Sequence, residues 1–129
     1  MSVYTQKSLK LLRDTGYKNW IVEKWNSFTK QRIDVFGFGD ILSIHVDRKE
    51  IALVQTFSSA MSEHKKKLEE EEKIKNYAID WLKANGKIYL IGWRKLKVKR
   101  GGKATRWVPR IEECLYKGNN LVWLKKEEL

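Results

Sequence analysis

Hydrophobic and polar residues alternate along three segments of the chain, and this period of two predicts β-strands. The segments are residues 17–26, 40–46 and 51–57, and a polar turn between the last two predicts a hairpin. Each strand places one polar side chain among apolar neighbours on the same face. These side chains are Glu23 beside Ile21 and Trp25, Asp40 beside Leu42 and Ile44, and Gln55 beside Leu53 and Phe57. We therefore expect all three to point toward a helix-covered core.

Helical spacing of apolar residues appears on both sides of this group of strands. Residues 4–13 predict a short helix, and Ser58 or Ser59 can cap a long helix that reaches about Ala84. Further strands are expected at residues 87–100, 105–111 and 121–124. The order of helix, three strands, long helix and further strands predicts one α/β domain over residues 1–129, built on a mixed sheet.

The polar residues on these apolar faces are candidates for a shared metal site. A buried carboxylate is costly unless something pairs with it, and a divalent cation could hold all three side chains. A hairpin of these lengths brings Asp40, early in one strand, beside Gln55, late in the next. Oxygen atoms of Asp40, of the Gln55 side chain and of the Thr56 backbone carbonyl suit Mg²⁺ or Mn²⁺. Glu23 could add a second carboxylate from the preceding strand.

Asp34 is a further candidate aspartate. Within an extended segment it would alternate with Phe36 and Phe38, again an acid among aromatic residues. It could serve as an outer ligand or as a structural partner of Arg32, and we rank it below Asp40.

Each of these residues also has a structural explanation. Glu23 could pair with a lysine or arginine, Gln55 could be a hydrogen-bonded core amide, and Asp40 could shape the turn after Gly39. The occurrence of all three residues beside a basic surface favours the functional interpretation.

The net charge of the chain indicates the kind of partner that it binds. The chain carries 27 Lys and Arg against 16 Asp and Glu, a formal net charge of +11, which makes a polyanion the expected partner. Membrane association is not expected, because the chain has no long apolar run and no basic amphipathic helix with an aromatic face. A single cysteine and the lack of an apolar segment near the start indicate a cytoplasmic protein.

Basic residues concentrate in the predicted hairpin around Gly101 and Gly102. Seven Lys and Arg residues lie between positions 95 and 110, more than the protection of a strand edge requires. We expect them to contact phosphates, with lysines at the start of the long helix flanking the same site. The predicted nucleic-acid contacts are Lys65, Lys66, Lys95, Lys97, Lys99, Arg100, Lys103 and Arg106.

The order of these motifs resembles the PD-(D/E)XK nuclease superfamily, and within it a phage-associated and archaeal-type branch of Holliday-junction resolvases. The similar stretches are Leu11-Leu12-Arg13, Gly16-Tyr17, residues 32–40, Leu53-Val54-Gln55 and Gly92-Trp93-Arg94-Lys95. The resemblance implies a restriction-endonuclease-like core of helix, three antiparallel strands, helix and strand. It also implies a homodimer that cleaves branched DNA with a divalent metal, as in DNA repair.

The chain departs from the family pattern at several positions. Asp40 matches the motif aspartate, but Gln55 stands where an acid is usual and Phe57 where lysine is usual. Glutamine can still ligate through oxygen, whereas phenylalanine cannot position water or stabilise charge. His64 or Lys65 from the following helix could substitute for the lysine. The glutamate common on the first helix of resolvases is also missing, and Glu23 could replace it.

Three functions remain open on the sequence alone. The first is a divalent-metal-dependent endonuclease that hydrolyses phosphodiester bonds in branched or duplex DNA. The second is a catalytically depleted DNA-binding module of the same fold. The third is a sequence-independent RNA-binding or structural protein in which the acids are purely architectural.

Overall fold

Helices cover both faces of a central sheet in the computed structural model, which describes residues 2–129. The helices of this part of the chain are α1 (Val3–Asp14), α2 (Met61–Glu70) and α3 (Glu72–Lys83). The strands there are β1 (Lys18–Ile21), β2 (Lys24–Asn26), β3 (Gln31–Ile33), β4 (Ile41–His45), β5 (Glu50–Phe57), β6 (Lys87–Lys97), β7 (Thr105–Lys117) and β8 (Asn120–Lys126). Across residues 2–129, no helix combines the length and apolar character needed to span a bilayer.

The main sheet is mixed, as the sequence predicts. Its six strands run in the order β1-β4-β5-β6-β7-β8, and β2 and β3 form a separate two-stranded sheet. Strand β4 is antiparallel to both of its neighbours, β1 and β5, and β5 and β6 are parallel. The chain passes between β5 and β6 through α2 and α3, because parallel neighbours require a long crossover. The predicted α/β class and mixed sheet are confirmed.

Strand alternation divides the core into two clusters on opposite faces of the sheet. The single-helix face lies under α1, where Leu12 packs on Ala52 and Val54. The helix-pair face lies under α2 and α3, where Leu68 packs with Leu53 and Leu90. Successive residues along β5, and likewise along β6, thus belong to different clusters. This alternation fixes the face of every side chain on these strands.

The predicted first strand is interrupted. Residues 17–26 were expected to be continuous, but β1 ends at Ile21 and β2, in the smaller sheet, begins at Lys24. Val22 and Glu23 both donate their N–H groups to the Asp40 carbonyl, at 3.0 and 3.3 Å. The shared acceptor turns the chain out of the main sheet, so the predicted alternation of Glu23 with Trp25 in a buried strand is wrong.

The predicted long helix is also interrupted, at Glu71, whose ψ of 102° is extended. Four consecutive glutamates, residues 69–72, repel one another within a single helix. Starting a new helix there instead places Glu72 at the favourable N-terminal end of α3. The predicted serine cap is wrong as well, because Ala60 occupies the cap position of α2.

Candidate metal centre

Three carboxylates converge at one end of the β1–β4–β5 sheet. Glu23 lies between β1 and β2, Asp34 follows β3 directly, and Asp40 precedes β4 directly. One oxygen atom from each lies within 4.8 Å of the other two. Asp40 is buried and the other two are half-buried. Such a spacing suits a single cation that all three carboxylates coordinate.

The break between β1 and β2 brings Glu23 to the cluster. Because Val22 and Glu23 both bond to the Asp40 carbonyl, the two segments are held side by side at this point. The sequence correctly associates Glu23 with Asp40, although the reason differs. A shared backbone acceptor, and not a common strand face, brings them together.

A tight turn carries Asp34 back to the same place. Val35 and Gly39 exchange backbone hydrogen bonds of 3.0 and 2.9 Å, and Phe36 and Gly37 have φ values of 56° and 85°. The extended conformation predicted for this segment is therefore wrong. The reversal makes Asp34 a full member of the cluster, whereas the sequence ranks it below Asp40.

Asp40 is anchored by the adjacent strand. Its Oδ2 atom accepts a 2.9 Å hydrogen bond from the Thr56 N–H group, and its own N–H donates to the Val54 carbonyl at 2.9 Å. The N–H and C=O groups of a strand residue point toward the same neighbouring strand, so the Thr56 carbonyl faces the Asp40 side too. The Thr56 side chain points away, since its Oγ1 donates to the Tyr4 carbonyl at 3.1 Å.

Gln55 lies across from Asp40. The β4–β5 register pairs Ile41 with Val54, and its extension by one residue sets Asp40 opposite Gln55. Both point to the helix-pair face, which Leu53 also faces. Gln55 is only 4% exposed. Within residues 2–129 its Oε1 atom has no hydrogen-bond partner, and neither has Oδ1 of Asp34.

These unpartnered oxygen atoms test whether a cation fits. A buried amide oxygen without a donor is unfavourable by about 1–3 kcal/mol. A cation bound by the carboxylates would satisfy Oδ1 of Asp34 and reduce the repulsion between the carboxylates, and Gln55, opposite Asp40, is placed to add its amide oxygen. The donor set of three carboxylates and one amide is that of a hard divalent ion such as Mg²⁺ or Mn²⁺.

The electrostatics of the cluster are unbalanced in the metal-free protein. Burial raises the pKa of Asp40 to about 8, with Asp34 and Glu23 raising it further and the Thr56 N–H group lowering it. Arg32 approaches Glu23, but the two lie 4.0 Å apart and the Arg32 side chain is 58% exposed. Such an exposed pair contributes little. Protein cations therefore compensate the cluster poorly, and in the metal-free protein Asp40 keeps its proton at pH 7 instead.

Substitution of Gln55 by methionine separates the two roles of this residue. Gln55→Met is expected to raise the free energy of unfolding of the metal-free protein by about 1 kcal/mol, because it removes an unpartnered buried oxygen. It is expected to weaken Mn²⁺ binding about tenfold, because it removes a ligand. Calorimetric titration and urea unfolding measure the two effects. Gln6→Met, at an exposed position on α1, should change neither, and a loss of stability in Gln55→Met would argue against the unpartnered amide.

Phe57 and His64 occupy the side of the site where the resemblance implies a lysine. Their rings stack with centroids 4.1 Å apart and an interplanar angle of 22°. Burial lowers the pKa of His64, as does Lys67, while Glu63 and Asp34 act in the opposite direction. His64 is therefore a neutral imidazole at pH 7, within electrostatic range of the cluster.

Lys65, the other expected substitute, is engaged elsewhere. Its Nζ atom lies 2.5 Å from Oε1 of Glu112, which is 1% exposed. In the sheet register Gln55 pairs with Leu90 and Leu90 with Glu112, so Lys65 reaches two strands away from the candidate site. The sequence gives no sign of Glu112, because its partner lies 47 residues earlier.

The predicted phosphate-binding lysines of the hairpin lie on the other face of the sheet. Lys95 and Lys97 continue the alternation of Ile91 and Trp93, which belong to the single-helix face. Seven of the eight predicted nucleic-acid contacts are exposed, and Lys65 is half-buried. The exposed ones are Lys66, Lys95, Lys97, Lys99, Arg100, Lys103 and Arg106.

A second group of cations lies on the helix-pair face, which the carboxylates share. Arg94 and Arg110 border a cleft of about 140 Å³ that Ser58, Ser59 and Phe57 also line. Both arginines are exposed, and Arg110 lies 3.8 Å from Glu112. Arg94 is not among the residues selected from sequence. Its place directly before Lys95 on β6 puts it on the opposite face from the lysines, a difference that alternation from the buried Ile91 could have indicated.

Comparisons with known proteins found no match for this chain. No protein-family model matches it, and neither the curated proteins nor the solved structures compared with it gave a match.

Proposed function

We propose that this protein is a divalent-cation-dependent endonuclease that hydrolyses phosphodiester bonds in branched or duplex DNA. The observation that carries the proposal is the convergence of three carboxylates with an unpartnered, buried amide oxygen opposite Asp40. The formal charge of +11 makes a polyanion the fitting substrate. The resemblance to PD-(D/E)XK resolvases supports the same reaction, a homodimer and DNA as the substrate. The single cysteine supports a cytoplasmic location.

Each residue of the site has a definable task in this reaction. Glu23, Asp34, Asp40 and Gln55 would hold the cation, with Asp40 fixed in place by the Thr56 N–H group. A bound Mg²⁺ or Mn²⁺ would supply the positive charge that polarises a phosphoryl oxygen and stabilises the transition state. The DNA substrate is negatively charged, and the carboxylates alone would repel it. The bound cation would remove this repulsion.

The arginine cleft would bind a neighbouring phosphate of the same strand. Arg94 and Arg110 offer planar guanidinium groups suited to phosphate oxygens, and Ser58 and Ser59 add hydroxyl donors. The cleft also includes Phe57, two residues after Gln55, so it adjoins the candidate metal centre. DNA held in the cleft would therefore lie close to the carboxylates.

His64 is the residue best placed to accept a proton from the attacking water. Its imidazole is half-buried and stacked on Phe57, and its pKa is lowered by burial, so it is neutral at pH 7. A neutral imidazole is a competent general base. It would take the part that lysine plays in the family pattern.

A DNA-binding module without cleavage is the second candidate, and Phe57 favours it. The side chain at this position is apolar and cannot donate to a phosphate oxygen or position water. In that case the carboxylates and the cation would hold the DNA-binding surface in shape.

Cleavage of a four-way junction and of a linear duplex tests the proposal. The protein is expected to cut DNA in Mg²⁺ or Mn²⁺ and to stop when EDTA is added. Salt-dependent DNA binding without nicking in either cation would select the binding module. Failure to bind DNA at all would contradict both candidates.

A further inference from the structure

A small hairpin projects from the candidate metal centre. It consists of β2, β3 and the turn between them, residues 24–33, which we term the arm. Glu23 precedes the arm directly and Asp34 follows it directly, so both of its ends are members of the carboxylate cluster. Whatever binds at the cluster therefore meets the base of the arm.

The arm exposes large aromatic side chains. Trp25 is 62% exposed and Phe28, in the turn, is 96% exposed. The turn itself is ordered, because Oδ1 of Asn26 accepts hydrogen bonds from the N–H groups of Phe28 and Thr29, at 3.0 and 3.3 Å. Several exposed aromatic residues on one short hairpin are typical of an interaction site.

The charge of the arm identifies the kind of partner. Lys24, Lys30 and Arg32 lie within it, and residues 24–33 include no Asp or Glu. A second copy of this chain is itself strongly basic, so charge does not favour it as the partner of the arm. A partner that carries both negative charge and flat apolar surfaces fits, and single-stranded nucleic acid has both.

The inner end of the arm forms a cleft for one such surface. Trp25 and Arg32 lie directly opposite each other in the β2–β3 register. Together with Ile21, Glu23 and Lys24 they line a cleft of about 360 Å³. An indole and a guanidinium group are the two side chains on which nucleobases stack most readily. Glu23 belongs both to this cleft and to the carboxylate cluster.

We propose that the arm is a binding element for unpaired bases of DNA, which stack on Trp25 and Phe28 beside the candidate metal centre. The proposal rests on the proposed function in that the substrate is DNA. It specifies the substrate class further: DNA with splayed or unpaired bases, such as a flap or a single strand. Bases within an intact duplex are already stacked on one another and are not available to these rings.

Binding measurements on paired and unpaired DNA test the arm. In EDTA, the double variant Trp25→Ala/Phe28→Ala is expected to lose about tenfold or more in affinity for a flapped or single-stranded oligonucleotide. Its affinity for an intact duplex should change less than about twofold, since phosphate contacts remain. Trp20→Ala is the matched control, because Trp20 is 74% exposed on β1 and lies outside the arm.

A stacking-sensitive readout separates this role from simple charge attraction. The fluorescence of 2-aminopurine placed in the unpaired strand should be quenched by the native protein and by Trp20→Ala, and not by the double variant. An equal loss of affinity for duplex and unpaired DNA would overturn the proposal. A change in oligomeric mass in the double variant, with DNA affinity unaltered, would also overturn it in favour of a protein contact.

The arm and the nuclease proposal fail independently of each other. Selective loss of unpaired-DNA binding in a protein that never cleaves would retain the arm and reject the nuclease. Cation-dependent cleavage by a protein whose double variant still prefers unpaired DNA would retain the nuclease and reject the arm.

Discussion

Asp40→Asn is expected to lower the rate of cation-dependent DNA cleavage by more than about a hundredfold. Asp40 is the most buried of the three carboxylates, and the Thr56 N–H group fixes its orientation. Asparagine retains the shape and an oxygen atom but lacks the negative charge that a divalent ion requires. Single-turnover cleavage of a junction at saturating enzyme measures the loss.

The same substitution is expected to stabilise the metal-free protein at pH 8. The pKa of Asp40 lies at about 8 in the folded state against 3.8 for the ordinary group. The folded protein therefore keeps a proton that the unfolded chain has released, and the free energy of unfolding falls as the pH rises from about 4 to about 8. The groups that face Asp40 are the carboxylates of Asp34 and Glu23 and the N–H group of Thr56. Asparagine does not titrate, so much of this pH dependence should disappear.

Asp47→Asn is the matched control for both effects. Asp47 lies exposed in the turn between β4 and β5, outside the cluster. It should leave cleavage and the pH dependence of stability unchanged. Retained cleavage in Asp40→Asn would remove this residue from the site, and a loss of stability at pH 8 would show that its charge is compensated by the protein itself.

Lys65→Met is expected to lower the free energy of unfolding by about 3 kcal/mol. Glu112 is 1% exposed, and Lys65 is its close partner at 2.5 Å. Arg110 lies 3.8 Å from the other carboxylate oxygen and is 46% exposed, so it offers weaker compensation. Removal of Lys65 thus leaves a buried negative charge without adequate pairing.

Urea unfolding at pH 7 tests this ion pair. The double variant Lys65→Met/Glu112→Gln should recover most of the lost stability, because it removes the unpaired charge. Lys66→Met, at the neighbouring exposed position, should change stability by less than about 0.5 kcal/mol. Equal effects of Lys65→Met and Lys66→Met would show that the ion pair contributes nothing.

Local patterns predict those parts of the fold that depend on neighbouring residues. The alternation in residues 40–57 correctly predicts the β4–β5 hairpin and, through its register, the adjacency of Asp40 and Gln55. The first helix and the crossover between β5 and β6 are also predicted, because apolar spacing and turn signals lie within a few residues of one another.

The missed features depend on contacts between distant segments. The break at Glu23 arises because Val22 and Glu23 both donate to the carbonyl of Asp40. No local pattern in residues 17–26 predicts it. Phe36 takes a positive φ, which aromatic residues rarely adopt, so the turn that returns Asp34 to the cluster has no simple sequence signature. The exposure of Trp25 is missed because strand alternation, continued through the break at Glu23, predicts that Trp25 lies in the core.

The central claim is that Glu23, Asp34, Asp40 and Gln55 bind one divalent cation. Calorimetric titration of Mn²⁺ at pH 7 in two buffers of different ionisation enthalpy tests it most directly. We predict one ion per chain, with proton release on binding because the pKa of Asp40 lies at about 8 without the ion. Both the binding and the proton release should be lost in Asp40→Asn. Absence of Mn²⁺ binding to the native protein, or equal binding to the native protein and to Asp40→Asn, would contradict the claim.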